Sequence, residues 1–161
     1  MRRRDREITD RRELLEVIGR AKVCRIAFND KAFPYVIPLN FGYEAREEKI
    51  FLYLHGALEG RKIDLLRQDP HIGFEMDGKH RLLTSADASS YSYAYESVIG
   101  TGKARLADSI EEKRHGLNCL MMHQAGLENA EFPETVINRT AVIEIEVIEI
   151  SGKRNLPPES K

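Results

Sequence analysis

The residues with the clearest chemical meaning lie in a short segment where a predicted strand leads into a predicted helix. The segment reads His55-Gly-Ala-Leu-Glu-Gly-Arg61-Lys62, so two adjacent cations stand in the first turn of that helix. Backbone N–H groups at a helix N-terminus attract anions, whereas the helix dipole disfavours cations there. Arg61 and Lys62 therefore indicate either a phosphate site or a solvated helix start, and both interpretations stay open on this pattern alone.

Standard motifs for hydrolysis and for zinc binding are missing from the sequence. It has no Gly-x-Ser-x-Gly elbow, Cys-x-x-Cys pair, His-Glu-x-x-His motif or Gly-Lys-Ser/Thr phosphate loop. His115, Cys119 and His123 are four residues apart and share one stripe of a predicted helix, which could bind a metal. Because Leu117 and Leu120 mark the core side, we expect the stripe to face outward or towards another subunit, and we predict no metal site.

Apolar patterns and turn residues predict a chain rich in strands. Capping motifs at Asp10 and Ser109 begin two helices, which end at Gly19 and near Ala125, and a third helix is predicted over residues 58–67. Strands are predicted over residues 22–28, 35–43, 49–55, 71–75, 81–84, 95–106 and 140–151. Strands joined by short turns, with few helices, predict an antiparallel barrel or sandwich with peripheral helices.

Three features interrupt this regular pattern. Gly100 and Gly102 lie inside a strand, which predicts a bulge or the close approach of another backbone. In the last strand apolar residues alternate as far as Val147, and Ile148 then falls on the polar side, which predicts a bulge or a change of sheet. Pro38 cannot donate a ladder hydrogen bond, so it is expected at a sheet edge, at a bulge or beside a ligand.

Length and charge limit the class of protein. The 161 residues include 25 Lys and Arg against 26 Asp and Glu, so no global field draws the chain to nucleic acid or to a membrane. No apolar run is long enough for a membrane-spanning helix, and the Arg-rich start has no apolar signal core, so we expect a cytoplasmic protein with reduced thiols. One domain is predicted over residues 1–152, with a flexible tail over residues 153–161.

Four segments, in this order along the chain, give the sequence a family resemblance: residues 34–43 (PYVIPLNFGY), 50–57 (IFLYLHGA), 60–66 (GRKIDLL) and 97–104 (SVIGTGKA). Together they resemble the FMN-binding split-barrel proteins, in particular the pyridoxamine 5′-phosphate oxidase-related branch that includes the nitroimidazole-resistance (Nim-type) reductases. The resemblance implies a mainly β fold with peripheral helices, built on a six-stranded antiparallel split β-barrel. It also implies a homodimer that holds FMN in clefts formed by both subunits.

The same resemblance implies roles for individual residues. Arg61 and Lys62 match the pair that grips the FMN phosphate, and His55 lies at the strand end beside the flavin ring. The residues matched to the cofactor cleft are Val36, Pro38, Leu39, Asn40, His55, Arg61, Lys62 and Ser97. His55 is the one candidate catalytic residue, as a contact to the ring or to the substrate, with ordinary structural packing as the alternative.

The resemblance implies an FMN-dependent oxidoreductase that passes electrons from reduced flavin to a small planar acceptor. The alternatives are a flavin- or haem-binding carrier or sensor without turnover, and an interaction module with an empty cleft. Ala88-Ser89-Ser90 stands where Nim-type relatives often carry a cysteine, so the substrate pocket is expected to differ. Lys153-Arg154 is a poor copy of the basic residues that clamp substrate in true pyridoxamine-phosphate oxidases, which disfavours vitamin oxidation.

Overall fold

The computed structural model describes residues 3–157 and shows an antiparallel sheet with helices around it. The strands are β1 Glu7–Ile8, β2 Cys24–Phe28, β3 Tyr35–Leu39, β4 Phe41–Arg46, β5 Lys49–Gly56, β6 His71–Leu83, β7 Ser92–Leu106 and β8 Ala141–Asn155. The helices are α1 Arg11–Arg20, α2 Arg61–Gln68, α3 Ile110–Ala125 and α4 Glu134–Asn138. Within residues 3–157, none of the helices combines the length and the apolar character that crossing a membrane requires.

The strands form one open sheet in the order β3-β2-β6-β7-β8-β5-β4. β8 pairs with β7 along most of its length, and its other side pairs first with β5 and then with β1. The curved sheet and α1 enclose the main core, whose fully buried members include Ile18, Ile26, Leu54 and Ile143. The predicted mainly β split-barrel fold with peripheral helices is confirmed.

The element boundaries differ from the sequence prediction at three places. Residues 35–43, predicted as one strand, divide at Asn40 into β3 and β4, which lie at opposite ends of the sheet. The strands predicted over residues 71–75 and 81–84 join into β6, because an irregularity between Gly78 and Arg81 lets the ladder with β7 continue. The helix predicted from residue 58 begins at residue 61, since Gly60 has a φ of +119°, which is not helical.

The predicted irregularity near the end of the chain is a β-bulge at Ile148. Thr101 pairs with Glu149 whereas Gly102 pairs with Val147, so Ile148 has no partner in the β7–β8 ladder. A Cβ atom at Gly102 would lie 2.6 Å from the Ile145 side chain and 2.9 Å from the backbone oxygen of Glu146 on β8, which explains the need for glycine beside the bulge. Both sequence predictions, the bulge and the close approach, are confirmed.

The last strand extends past the predicted end of the domain. The sequence predicts a flexible tail from residue 153, but β8 continues to Asn155 because β7 offers pairing partners that far. The Asn155 side chain also donates a hydrogen bond to the carbonyl oxygen of Tyr93 at 2.7 Å. Residues 158–161 of the predicted tail lie outside the described residues.

Glu96 on β7 is the one buried charged residue within residues 3–157, at 2% exposure. Arg20, the last residue of α1, donates to both of its carboxylate oxygens, at 2.7 and 2.9 Å. Lys79 Nζ lies 3.6 Å away. The hydrogen bonds to Glu96 raise the pKa of Arg20, and this ion pair fixes α1 on the sheet.

We predict that Arg20→Ala lowers the free energy of unfolding by about 2–4 kcal/mol, because Glu96 stays buried with Lys79 as its remaining cation. This range allows for solvent screening, since the Arg20 side chain is 43% exposed. Urea unfolding followed by circular dichroism measures the change. Arg12→Ala is the control on the same helix: its side chain is 90% exposed, and its substitution should cost under about 0.5 kcal/mol. Equal losses in the two variants would contradict the role of the ion pair.

Candidate functional site

The predicted phosphate segment lies where β5 ends and α2 begins. Gly60 precedes α2 with its positive φ, and no side chain caps the helix. The carbonyl oxygen of Gly60 accepts the first helical hydrogen bonds, from the amides of Ile63 and Asp64. The amides of Arg61 and Lys62 precede those bonds, so the helix geometry gives them no partner within α2. This end of the helix is therefore an N–H-rich, positive corner.

Lys62 extends back over the end of β5. A Cβ atom built at Gly56 would lie 2.6 Å from Lys62 Nζ, so the glycine leaves room for the ammonium group. The side chain is half-buried, with its charge at the same corner as the start of α2. An ammonium group beside amides that the helix itself leaves unbonded has the features of a phosphate site.

Arg61, in contrast, has an anionic partner within the chain. Its Nε donates to Asp30 Oδ2 at 3.0 Å, and its Nη2 donates to the same oxygen. The guanidinium carbon also lies 4.5 Å from the centre of the Tyr35 ring. Asp30 is largely buried, whereas Arg61 is 63% exposed, so the outer donors of the guanidinium face solvent. Part of the anionic environment that the sequence predicts for Arg61 is thus the protein's own Asp30.

An open cleft of about 710 Å³ lies between α2 and the β2–β3 connection. Arg61, Val36, Tyr35 and the exposed Phe33 line it. β3 is an edge strand, so the backbone groups along one side of it have no ladder partner. The edge position predicted for Pro38 is confirmed.

The other predicted residues of β3 differ in the direction they face. Val36 and Pro38 are exposed on the outer face of the sheet, whereas Leu39 lies on the opposite face and packs against the core. The Asn40 amide donates to the carbonyl oxygen of Lys22 at 3.1 Å. Asn40 therefore holds the junction between β3 and β4, a structural contact that its assignment to the cofactor cleft did not anticipate.

Ser97 and His55 lie apart from this cleft within one protomer. Ser97 is on β7, three strands from β3, which corresponds to about 14 Å across the sheet. His55 is exposed, and because successive strand residues face opposite sides, it faces away from the side of Gly56 that meets Lys62. Arg61 therefore lies against the start of β3, whereas Lys62 lies at the end of β5 and does not line the cleft. Ser97 is three strands from β3, and His55 faces the side of β5 opposite to Lys62. The roles of these two residues stay predictions.

A second cavity, of about 640 Å³, lies between α3 and β4 and was not predicted. α3 approaches β4 so closely that a Cβ atom at Gly42 would lie 2.3 Å from the backbone nitrogen of Leu120. The sequence predicts that the stripe of His115, Cys119 and His123 faces outward or towards another subunit. The prediction is wrong for His123, which packs between β4 and α1, whereas His115 stays 47% exposed beside β4.

His123 links three elements through both of its ring nitrogens. Nδ1 lies 2.8 Å from the carbonyl oxygen of Phe41, and Nε2 lies 3.1 Å from that of Gly19. The rings of Phe41 and Tyr43 pack against the imidazole with their centres 4.6 and 5.0 Å away. With both nitrogens directed at carbonyl oxygens, His123 is a structural link among α3, β4 and α1.

The other two residues of the stripe meet Glu44 on β4. His115 Nε2 lies 2.9 Å from Glu44 Oε2 and 3.6 Å from Cys119 Sγ. Burial acts to raise the pKa of Glu44, but the hydrogen bond to His115 and the charge of Arg46 bring it below its usual value. Burial, with the nearby Glu44, raises the pKa of Cys119 to about 11, and burial raises that of Cys24 to about 12. Both cysteines are therefore thiols at neutral pH.

Comparisons with known proteins agree with this architecture. A family model described as pyridoxamine 5′-phosphate oxidase matches residues 10–154. No curated protein sequence matches the chain significantly. The structure of a candidate 5-nitroimidazole antibiotic resistance protein from Bacteroides thetaiotaomicron is 30% identical, with a TM-score of 0.80 over 92% of this chain and 86% of that one. These matches confirm the resemblance found in the sequence.

Two more distant structures share the fold. The flavocytochrome Anf3 from Azotobacter vinelandii is 20% identical, with a TM-score of 0.80 over 98% of this chain and 73% of that one. An FAD- and haem-binding protein from Mycobacterium smegmatis is 16% identical, with a TM-score of 0.78 over 96% of this chain and 77% of that one. At these identities the similarity establishes the fold alone.

Proposed function

The chain belongs to the pyridoxamine 5′-phosphate oxidase family, and from this premise we propose that it is an FMN-dependent oxidoreductase of the nitroimidazole-reductase type. Electrons would pass from reduced flavin to a small planar acceptor such as a nitroaromatic compound. The observation that carries the proposal is the positive corner where Lys62 lies over Gly56 at the start of α2. This corner fits the phosphate of a mononucleotide.

In this proposal Lys62 and the first amides of α2 hold the phosphate. Arg61, which Asp30 holds in place, donates to it from the other side. The edge of β3, from Val36 to Asn40, then lies beside the flavin ring, and its unpaired backbone groups can bond to the polar rim of the ring. FMN would supply the redox chemistry, while the protein supplies orientation and electrostatics, so few conventional catalytic side chains are required. The missing motifs of hydrolysis agree with that division.

We also propose that the site is completed in a homodimer. The strand register places Val36 and Ile99 on the same outer face of the sheet, and they are 55% and 54% exposed. The bulged Ile148, at 63% exposure, lines a shallow groove with Gly73 and Thr101 of that face. Apolar side chains exposed together in this way favour burial against a second protein surface. A partner subunit on this face would bring its Ser97 and His55 to the cleft from which one protomer separates them.

Turnover is the direct test of the proposed reaction. We expect the purified protein with FMN to oxidise a reduced nicotinamide under anaerobic conditions, and to do so continuously when a 5-nitroimidazole is supplied. Loss of the reduced-nicotinamide absorption measures reduction of the flavin, and return of the oxidised-flavin absorption measures electron transfer to the nitroimidazole. Flavin that binds and is never reoxidised by the nitroimidazole would contradict the proposal and support a carrier or sensor.

The phosphate assignment predicts the behaviour of substitutions in α2. Lys62→Ala should weaken FMN binding about 10- to 100-fold, because a hydrogen bond to a charged group contributes about 1.5–3 kcal/mol. Fluorescence titration measures this loss. Arg67→Ala, in the last turn of the same helix, should leave FMN affinity unchanged.

Riboflavin, which lacks the phosphate, provides the second control. The unaltered protein should prefer FMN to riboflavin. Lys62→Ala should reduce that preference, and Lys62→Ala with Arg61→Ala should reduce it further, while riboflavin binds as before. A double variant with an unchanged preference for FMN would refute the phosphate site. That result is independent of whether the bound flavin turns over.

The dimer proposal predicts that Ile99→Lys separates the subunits, because it places a charge in an apolar contact. Light scattering with size-exclusion chromatography should give twice the 18.4 kDa chain mass for the unaltered protein and a single chain mass for the variant. Val136→Lys, at a 48% exposed position on α4 outside the patch of Val36, Ile99 and Ile148, should stay dimeric. A monomeric unaltered protein, or a dimeric Ile99→Lys, would contradict the assigned face.

A further inference from the structure

We propose that Glu44, His115 and Cys119 form a binding site for a divalent transition-metal ion of the Zn²⁺ class, open to the cavity between α3 and β4. Their oxygen, nitrogen and sulfur donor atoms all lie within 4.8 Å of one another. The three side chains line that cavity of about 640 Å³, which leaves space for water or a small ligand at a further coordination position. This site is separate from the proposed flavin cleft and does not depend on it.

The geometry distinguishes a metal site from a nucleophilic triad. In a cysteine–histidine–acid triad, the two ring nitrogens have different partners, one the thiol and the other the carboxylate. Here the same atom, His115 Nε2, is near both the Cys119 sulfur and the Glu44 oxygen. Three donors that converge on one point are suited to a shared ion, whereas proton relay through the ring would need both nitrogens.

The two distances from His115 Nε2 are near those that a tetrahedral ion requires, and the carboxylate and sulfur donors lie within 4.8 Å of each other. Zn²⁺ ligand bonds of about 2.0–2.3 Å place neighbouring donor atoms about 3.3–3.7 Å apart. The His115–Cys119 separation of 3.6 Å already fits, and the His115–Glu44 separation of 2.9 Å must increase by less than 1 Å, roughly one side-chain adjustment. Binding replaces the hydrogen bond between these two groups with two metal–ligand bonds. The thiol proton of Cys119 passes to solvent, and the proton that His115 Nε2 donates to Glu44 moves through solvent to Nδ1, which leaves the Nε2 lone pair for the ion; no oxidation or reduction is involved.

The backbone fixes the donors before an ion arrives. His115 and Cys119 are one turn apart on α3, and the contact at Gly42 sets the distance from α3 to β4, where Glu44 lies two residues further on. The Tyr53 hydroxyl donates to Glu44 Oε2 at 3.2 Å, and the Tyr53 ring packs edge-on to His115. Such second contacts orient metal ligands in proteins.

The neighbouring charges accommodate a cation. Arg46 Nε lies 2.9 Å from the same Glu44 oxygen, so it must yield part of that contact. It keeps other partners, because its guanidinium carbon lies 4.4 Å from the centre of the Phe51 ring and Nη2 donates to Tyr53 at 2.7 Å. Arg46 can therefore weaken its contact with Glu44 and still keep its contacts with Phe51 and Tyr53.

The connected ion-pair network also has an excess of negative charge. Its carboxylates are Glu44, Glu144 and Glu112, and its guanidiniums are Arg46 and Arg105. A divalent ion that displaces one thiol proton adds a single positive charge, which would neutralise the network when His115 is uncharged. The expectation of no metal site assumed a stripe that faces outward, and the structure removes that premise.

Titration with Co²⁺ and with Zn²⁺ tests the proposal on the full-length protein. We expect one ion per chain, and with Co²⁺ the thiolate charge-transfer and visible bands of a four-coordinate sulfur-containing site. Calorimetry with Zn²⁺ in buffers of different ionisation enthalpy should show proton release. The absence of binding, or octahedral Co²⁺ spectra without a thiolate band, would overturn the proposal.

Variants assign the ligands. Cys119→Ser and His115→Ala should each weaken Zn²⁺ binding at least about 100-fold, since loss of a residue that only supports a ligand costs about 10- to 100-fold. Cys24→Ala removes the other thiol, which is fully buried, and should keep affinity and the Co²⁺ bands. Circular dichroism verifies that each variant is folded. Glu44→Gln, on β4, removes the third ligand without a change in α3 and should also weaken Zn²⁺ binding. Unchanged affinity in Cys119→Ser, or loss in Cys24→Ala alone, would contradict the site.

Discussion

The passage of the chain from one edge of the sheet to the other at Asn40 is the constraint on which the rest of the structure depends. β3 and β4 are consecutive in sequence, yet they are the two ends of the strand order, so the sheet remains open between them. The end of α3 covers this gap: Gln124 donates to the carbonyl oxygens of Lys22 and Phe41, and His123 contacts those of Phe41 and Gly19. Carbonyl oxygens in the last turn of α1, just before β2 and at the start of β4 thereby gain hydrogen-bond partners.

The same passage creates two recesses with different chemistry. At the β3 edge, the open side of the strand meets the positive start of α2, which favours an anionic ligand. At the β4 edge, α3 lies directly on the strand at Gly42, and the recess there collects a carboxylate, an imidazole and a thiol, which favour a cation. One break in the ladder thus yields two clefts on opposite edges of one sheet, and we propose an anionic ligand for the first and a cation for the second.

The sequence predicted the features that depend on local pattern. The phase change at Ile148 and the glycine at 102 both appear as the β7–β8 bulge, because alternation along a strand directly reports which face each residue occupies. The sequence analysis missed the division at Asn40, because the residues on both sides of it have equal strand character. The break arises because β3 pairs with β2 whereas β4 pairs with β5. The pairing of Arg61 with Asp30, 31 residues earlier, and the orientation of the α3 stripe also depend on tertiary contacts that no local spacing encodes.

The partnership of Arg61 with Asp30 changes how a phosphate would be balanced. Two free cations and the helix dipole would overcompensate a group that carries about −1.5 to −2 charges at neutral pH. With Asp30 offsetting Arg61, the remaining positive charge is that of Lys62 together with the roughly half-charge of the helix start, which is close to the phosphate charge. Arg61 holds the β2–β3 connection against α2 through Asp30. Toward a phosphate it would contribute directed donors, whereas Lys62 would supply the net charge. The two adjacent basic residues, equivalent in the sequence, thus take different physical roles in the fold.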